Sequence, residues 1–260
     1  LQSGDPNSSI AKAARMDNAI FVGLSRQMLL RREMDIVANN IANLDTTGFK
    51  VESLIHKTEP AAPAATLGGP RPVKFVGDDG VARDFGQGSL NPTGAPLDMA
   101  IEGKAFFQLQ GPDGPRFTRD GRFTVDPAGR LVSQGGLPVL DKSGSEINID
   151  AEKGEVKVGS DGSLSQGNER IGQVGMFAFE NLSALSKTGD NLYRNDSNLT
   201  ATPAEDARLR QGMLEGSNVK PILEITRMVQ VSRAYESTAK MMDAQSDLSR
   251  RAVERLGRAQ

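Results

Sequence analysis

The sequence predicts an α+β chain, with N- and C-terminal helices paired as a coiled coil and a central all-β domain of sandwich or barrel type. Two patterns carry this reading. Near both ends, apolar residues recur at alternating steps of three and four, the signature of a narrow helical seam. Between them, short apolar runs alternate with turn residues about every 8–12 positions, as in all-β domains. A third observation bounds the answer: no stretch approaches the roughly 20 apolar residues that span a bilayer.

The elements follow in chain order. Leu1–Arg15 holds the turn-prone run Ser3-Gly4-Asp5-Pro6-Asn7-Ser8-Ser9 and reads as a linker or an expression remnant, with Met16 as the expected native start. Residues 16–48 read as one helix. Ile20, Gly23, Gln27, Leu30, Met34, Val37, Ile41 and Leu44 form its seam, while Arg26, Arg32, Glu33, Asn39 and Asn43 take the other side. It should extend about 40 Å and stop at Asp45-Thr46-Thr47-Gly48, where glycine reaches the left-handed conformation that ends a helix.

Residues 49–72 read as a connector, flexible over 57–72 where Ala, Pro and Gly dominate. Residues 73–212 read as the β domain. Leu97, Met99 and Ile101 alternate with polar or small neighbours, Ala105–Gln110 continues as a second strand, and Gly111-Pro112-Asp113-Gly114-Pro115 is a turn. Phe106, Phe107, Phe117 and Phe123 are its expected core anchors. Asn181–Pro203 is polar and reads as an irregular surface excursion.

Residues 213–260 return to helix and should pair with 16–48. Pro221 suits the first helical position and Glu224 the first turn. Ile225, Met228, Ser232, Tyr235, Ala239, Met242, Ser246, Ser249, Val253 and Leu256 keep the three-four spacing, with small residues that admit a close neighbour. Both helices are too long and too narrowly striped to be satisfied by their own loops.

Composition excludes several chemistries. Of 260 residues none is cysteine, so disulfides, thiolate nucleophiles and Cys-rich zinc sites are ruled out. A single histidine, His56, rules out multi-histidine metal sites and reads as a surface residue. Thirty-one basic against thirty-three acidic residues leave a net charge of −2, which argues against nucleic acid as a partner. Gly86-Gln87-Gly88 and Gly135-Gly136 open no helix after a strand and read as turns, not phosphate cradles. Asp78-Asp79-Gly80 and Asp161-Gly162-Ser163 lack the ligand series of a calcium loop. Asp98 and Glu102 are not marked as a catalytic pair by spacing alone. No catalytic, cofactor or metal site is expected, and the chain does not read as an enzyme. The remaining alternatives are a helix-tethered β binding module and a hydrolase hidden in the β domain.

Four stretches carry a family resemblance. Val37-Ala38-Asn39-Asn40-Ile41-Ala42-Asn43, followed by Thr46-Thr47-Gly48-Phe49-Lys50, is the first. Pro96-Leu97-Asp98-Met99-Ala100-Ile101-Glu102-Gly103 with Phe106-Phe107 is the second, and Phe117-Thr118-Arg119-Asp120-Gly121-Arg122-Phe123 with Gly129-Arg130-Leu131-Val132 the third. Leu214-Glu215-Gly216-Ser217-Asn218-Val219-Lys220-Pro221 with Ser232-Arg233-Ala234-Tyr235-Glu236 is the fourth. Together, and in this order, they resemble the bacterial flagellar axial proteins, the rod and hook family. Lys104-Ala105 departs from the acidic-glycine pair that the family often carries before its aromatics.

The resemblance implies a structural subunit of the flagellar basal body, most like the proximal rod, with the distal rod as alternative. It implies export by the flagellar type III apparatus without a cleaved signal, and polymerisation into the drive shaft that crosses the periplasm. Partners would be copies of this chain, neighbouring rod subunits and the export apparatus, with no membrane insertion and no cofactor. The expected assembly interface joins Leu30, Met34, Val37 and Ile41 to Ile225, Met228, Tyr235, Ala239 and Met242. Asn39, Asn40, Asn43, Thr47, Gly48, Phe49 and Asn218 are expected at the same subunit contacts.

Overall fold

A computed structural model describes residues 6–58, 62–64, 71–73, 76–196 and 200–257. The chain forms two compact units. A helix unit comprises Leu1–Ile41, Glu52–Ala82 and Pro221–Gln260, and a β unit comprises Ala42–Val51 and Arg83–Lys220.

In the helix unit, α1 spans Pro6–Ala42 and α2 spans Pro221–Gly257. The first helix therefore begins at Pro6, not Met16. Proline suits an opening helical position, and Ala11-Lys12-Ala13-Ala14-Arg15 are strong helix formers, so propensity extends α1 where no apolar period exists. The two helices touch and run antiparallel. Gly23 lies against Met242, the Ser232 Oγ sits 3.4 Å from the Met34 Sδ, and Arg227 donates to Glu33 at 3.0 and 3.1 Å. The unit also holds β1 (Glu52–Thr58), β2 (Ala62–Ala64), β3 (Arg71–Val73) and β4 (Val76–Arg83), paired as β1 with β4 and β2 with β3. Much of the connector expected over 57–72, and the side chain of His56, lie outside the described residues. Among the described residues no helix is long and apolar enough to cross a membrane.

The β unit contains β5 (Leu90–Pro92), β6 (Met99–Glu102), β7 (Phe106–Gly111), β8 (Gly114–Thr118), β9 (Phe123–Val125) and β10 (Leu131–Ser133). It continues through β11 (Val156–Val158), β12 (Ser163–Gln166), β13 (Glu169–Gln173) and β14 (Met176–Ala178). The last strands are β15 (Leu185–Gly189), β16 (Leu192–Asn195), β17 (Thr202–Pro203), β18 (Arg208–Gln211) and β19 (Met213–Glu215). The largest sheet runs β15-β16-β8-β7-β14-β17 and is open at both ends, flanked by smaller sheets. A sandwich- or barrel-like domain was expected; the main sheet does not close into a barrel, and many strands are only three or four residues long and pair locally.

Alternation along β7 explains the core. Phe107 and Leu109 enter one buried cluster with Met99, Ile101, Leu131, Val139 and Leu164, where the Phe107 and Phe123 rings meet edge to face at 5.0 Å. Phe106 enters another cluster with Phe117, Phe177, Phe179 and Tyr193. Both faces of the β7–β8 pair are thus covered. The described part of 181–203 holds regular structure where an irregular excursion was expected. β15 and β16 form a hairpin through Asp190 and Asn191, whose φ values of +47° and +56° suit a tight turn that matches strand twist. Leu185 and Tyr193 from that hairpin are buried in the second cluster.

Candidate assembly interface

The helix seam is internal to the chain. Leu30 and Val37 are buried, Met34 and Ile41 half-buried, and Leu29 joins them. On α2 the inward positions are Glu224, Met228, Val231, Tyr235, Thr238 and Met242, a clean four-three repeat, with Ala239 half-buried beside it. Ile225 was expected on this seam, but it is 52% exposed. The register differs by one residue at alternate positions because Glu224, a charged residue, occupies an inward site. It can do so because Asn40, fully buried, donates from Nδ2 to the Glu224 Oε2 at 2.9 Å. The same amide donates to the Glu52 carbonyl at 2.8 Å and accepts from the Glu52 N–H at 3.0 Å, which fastens β1 to the helices.

Among the charged side chains outside the seam stand several large apolar ones. Phe21, Leu24 and Met28 form one exposed stripe on α1, and Ile222, Ile225 and Val229 a second on α2. All the large apolar side chains that stand exposed among the described residues belong to the helix unit. The two stripes sit at opposite ends of the pair: Gly23 lies against Met242, whereas Asn40 lies against Glu224. About fifteen residues of helix separate them, roughly 20 Å.

The polar residues expected at subunit contacts also make bonds within the chain. Asn39 is exposed, and Asn43 accepts from the Thr46 hydroxyl at 3.0 Å. In the β unit, the Thr47 carbonyl accepts from Asn191 at 3.1 Å, and the Gly48 N–H donates to the Glu215 carbonyl at 2.7 Å. Gly48 has φ +69°, and a Cβ there would lie 2.6 Å from the Arg119 carbonyl carbon, so only glycine fits. Phe49 is buried, with the Lys187 ammonium 4.6 Å above its ring. Asn218 accepts from the Val51 N–H at 2.8 Å and donates to the carbonyls of Asp84 and Gly86 at 2.8 and 3.1 Å. Its donors and acceptor are therefore occupied before any neighbour arrives.

Beneath these residues lies an ionic knot that sequence reasoning missed. Lys50 donates to the Glu215 Oε1 at 2.6 Å and to the Gly86 carbonyl at 2.8 Å. Arg119 donates to the Glu215 Oε2 at 2.9 Å, to the Ile101 carbonyl at 3.1 Å and to the Gly103 carbonyl. The Gly88 N–H adds a bond to the Glu215 Oε1 at 2.9 Å. The three side chains are 0–2% exposed. Burial pulls the Lys50 amine below its ordinary value despite the opposing pull of Glu215, and it lowers Arg119 likewise. The available signal was charge type: a lysine, an arginine and a glutamate embedded in three glycine-containing motifs.

Residues 20–50 match the family model described as flagella basal body rod protein, residues 100–166 the flagellar hook protein FlgE/F/G D1 domain, and residues 210–255 the flagellar basal body rod FlgEFG protein C-terminal. The chain is 58% identical over 243 residues to the flagellar basal-body rod protein FlgF of Caulobacter vibrioides, covering 94% of this chain and 99% of that protein. It is 37% identical to the FlgF of Mesorhizobium japonicum, over 93% of this chain and 99% of that one. The flagellar basal-body rod protein FlgG of Bacillus subtilis is 31% identical, over 90% and 97%.

Proposed function

We propose that this chain, which belongs to the flagellar basal-body rod protein family, is a structural subunit of the rod and assembles through its terminal helices. The identity to FlgF relatives along nearly the whole chain carries the assignment, and FlgG relatives are more distant. A proximal rod position is our reading, with the helix pair as a coiled coil on the inner side of a periplasm-spanning shaft. Export through the flagellar type III apparatus belongs to the same reading, as does a load-bearing rather than enzymatic role.

The observation that supports the mode of assembly is the pair of exposed apolar stripes at opposite ends of the helices. Stripes that differ from each other favour heterologous contacts, and contacts of that kind extend into a helical polymer instead of closing on themselves. Many distributed apolar contacts also resist torque better than a few polar ones. The seam residues Leu30, Val37 and Val231 hold each pair together, and Phe21, Met28, Ile225 and Val229 meet its neighbours. Asn39, on the exposed side of α1, joins that outer surface.

Phe21→Asp with Met28→Asp, introduced into cells lacking the native gene, tests this reading. The expected variant is synthesised, keeps its β unit folded and builds no rod, so the cells do not swim. Normal swimming by the double variant would remove the exposed stripe from the assembly mechanism.

A further inference from the structure

We infer that Glu215 is a positioning residue that locks together the two passages by which the chain enters and leaves the β unit. One passage is 42–51, which follows α1, and the other is 211–220, which precedes α2. Glu215 belongs to the second, Lys50 to the first and Arg119 to the turn after β8, so a single carboxylate is grasped from three parts of the sequence. The backbone repeats the tie, the Gly48 N–H donating to the Glu215 carbonyl at 2.7 Å, and the Gly216 N–H anchors the second passage to the Ser89 carbonyl at 2.8 Å. This goes beyond the rod assignment and does not depend on it.

Charge arithmetic makes the role specific. Two buried cations face one buried anion, with Asp84 and Tyr193 as the outlying groups that act on Lys50 and Arg119. Removing Glu215 leaves two like charges in a site without water-exposed surface, while removing Lys50 leaves a neutral Arg119–Glu215 pair. The Arg119 Nε already lacks a hydrogen-bond partner, so when the carboxylate goes Arg119 keeps only the neutral carbonyls of Ile101 and Gly103 and no anion. A knot that merely filled space would respond alike to the loss of either partner. This one should not.

Hydrogen exchange on the full chain tests it. In Glu215→Gln, the amides of Gly48 and Gly216 should exchange roughly 100-fold faster, while those of Leu131 and Val139 in the core keep their protection. In Lys50→Met the same two amides should change less than about threefold. Adding Lys50→Met to Glu215→Gln should restore much of the lost protection, because one buried cation replaces two, and Glu215→Asp should fall between wild type and Glu215→Gln. If Glu215→Gln does not fold, folding of the Lys50→Met, Glu215→Gln double variant supports the lock. Equal opening in Lys50→Met and Glu215→Gln, or a double variant no better than Glu215→Gln, would overturn it.

Discussion

The β unit and the helix unit solve the burial problem in opposite ways. The β unit covers both faces of its central strands, leaves only the Gln108 Oε1 and Arg119 Nε unpartnered among the buried polar side-chain atoms of its described residues, and contributes none of the large exposed apolar side chains among them. The helix unit has one narrow seam and leaves Phe21 at 58%, Met28 at 65% and Ile222 at 79% exposed. In the assembly proposed above, neighbouring subunits cover what the helix unit leaves exposed. Self-sufficiency in one region and incompleteness in the other are how a subunit folds alone yet joins a polymer.

The sharpest way to separate the regions is to damage each core. Phe107→Ala removes a fully buried ring that meets Phe123 edge to face, and it should cost the β unit about 3–5 kcal/mol in urea denaturation. Leu30→Ala on the helix seam should leave the β transition unmoved, since it lies in the other unit. Gly48→Ala comes next. A positive φ and a Cβ pressed on the Arg119 backbone should cost the β unit about 1–3 kcal/mol, measured the same way.

A smaller effect is pH-dependent. Burial lowers the Lys50 pKa in the folded state below its unfolded value, so the unfolded chain binds the extra proton between the two. Stability should therefore rise as pH climbs through that window toward 10.5, and the penalty for the buried cation is fully present below it. The melting temperature of Lys50→Met, subtracted from that of the parent, isolates this rise. The smallest effect belongs to the Lys153–Glu169 pair, whose side chains are 49% and 64% exposed; Lys153→Ala should leave the melting temperature unchanged.

Periodicity made the first helix legible, and Leu30, Met34, Val37 and Ile41 do turn inward. On the second helix an apolar template passes over Glu224 and selects Ile225, although Met228, Tyr235 and Met242 fall on the inward side either way. Only knowing that Asn40 waits opposite could have placed a carboxylate inside. The β15–β16 hairpin was hidden for a related reason. Its signal was the turn pair Asp190-Asn191, while its strands looked too polar to matter until Tyr193 and Leu185 were seen buried. Motifs such as Thr46–Lys50 and Ser217–Val219 were visible as motifs, but their use was not. Their polar groups converge from more than 160 residues apart, as Lys50 and Glu215 do at |i−j| of 165, and no local pattern records such a meeting.

Hydrogen exchange on the soluble, unassembled chain tests the central claim most directly. If neighbouring subunits complete the burial of the helix unit, amides of α1 around Val37 and of α2 around Val231 should exchange orders of magnitude faster than those of Leu131 and Val139 in the β unit. Protection in the helices equal to that of the β core would mean that the helix unit is already complete in one chain, and the contrast on which this account rests would be wrong.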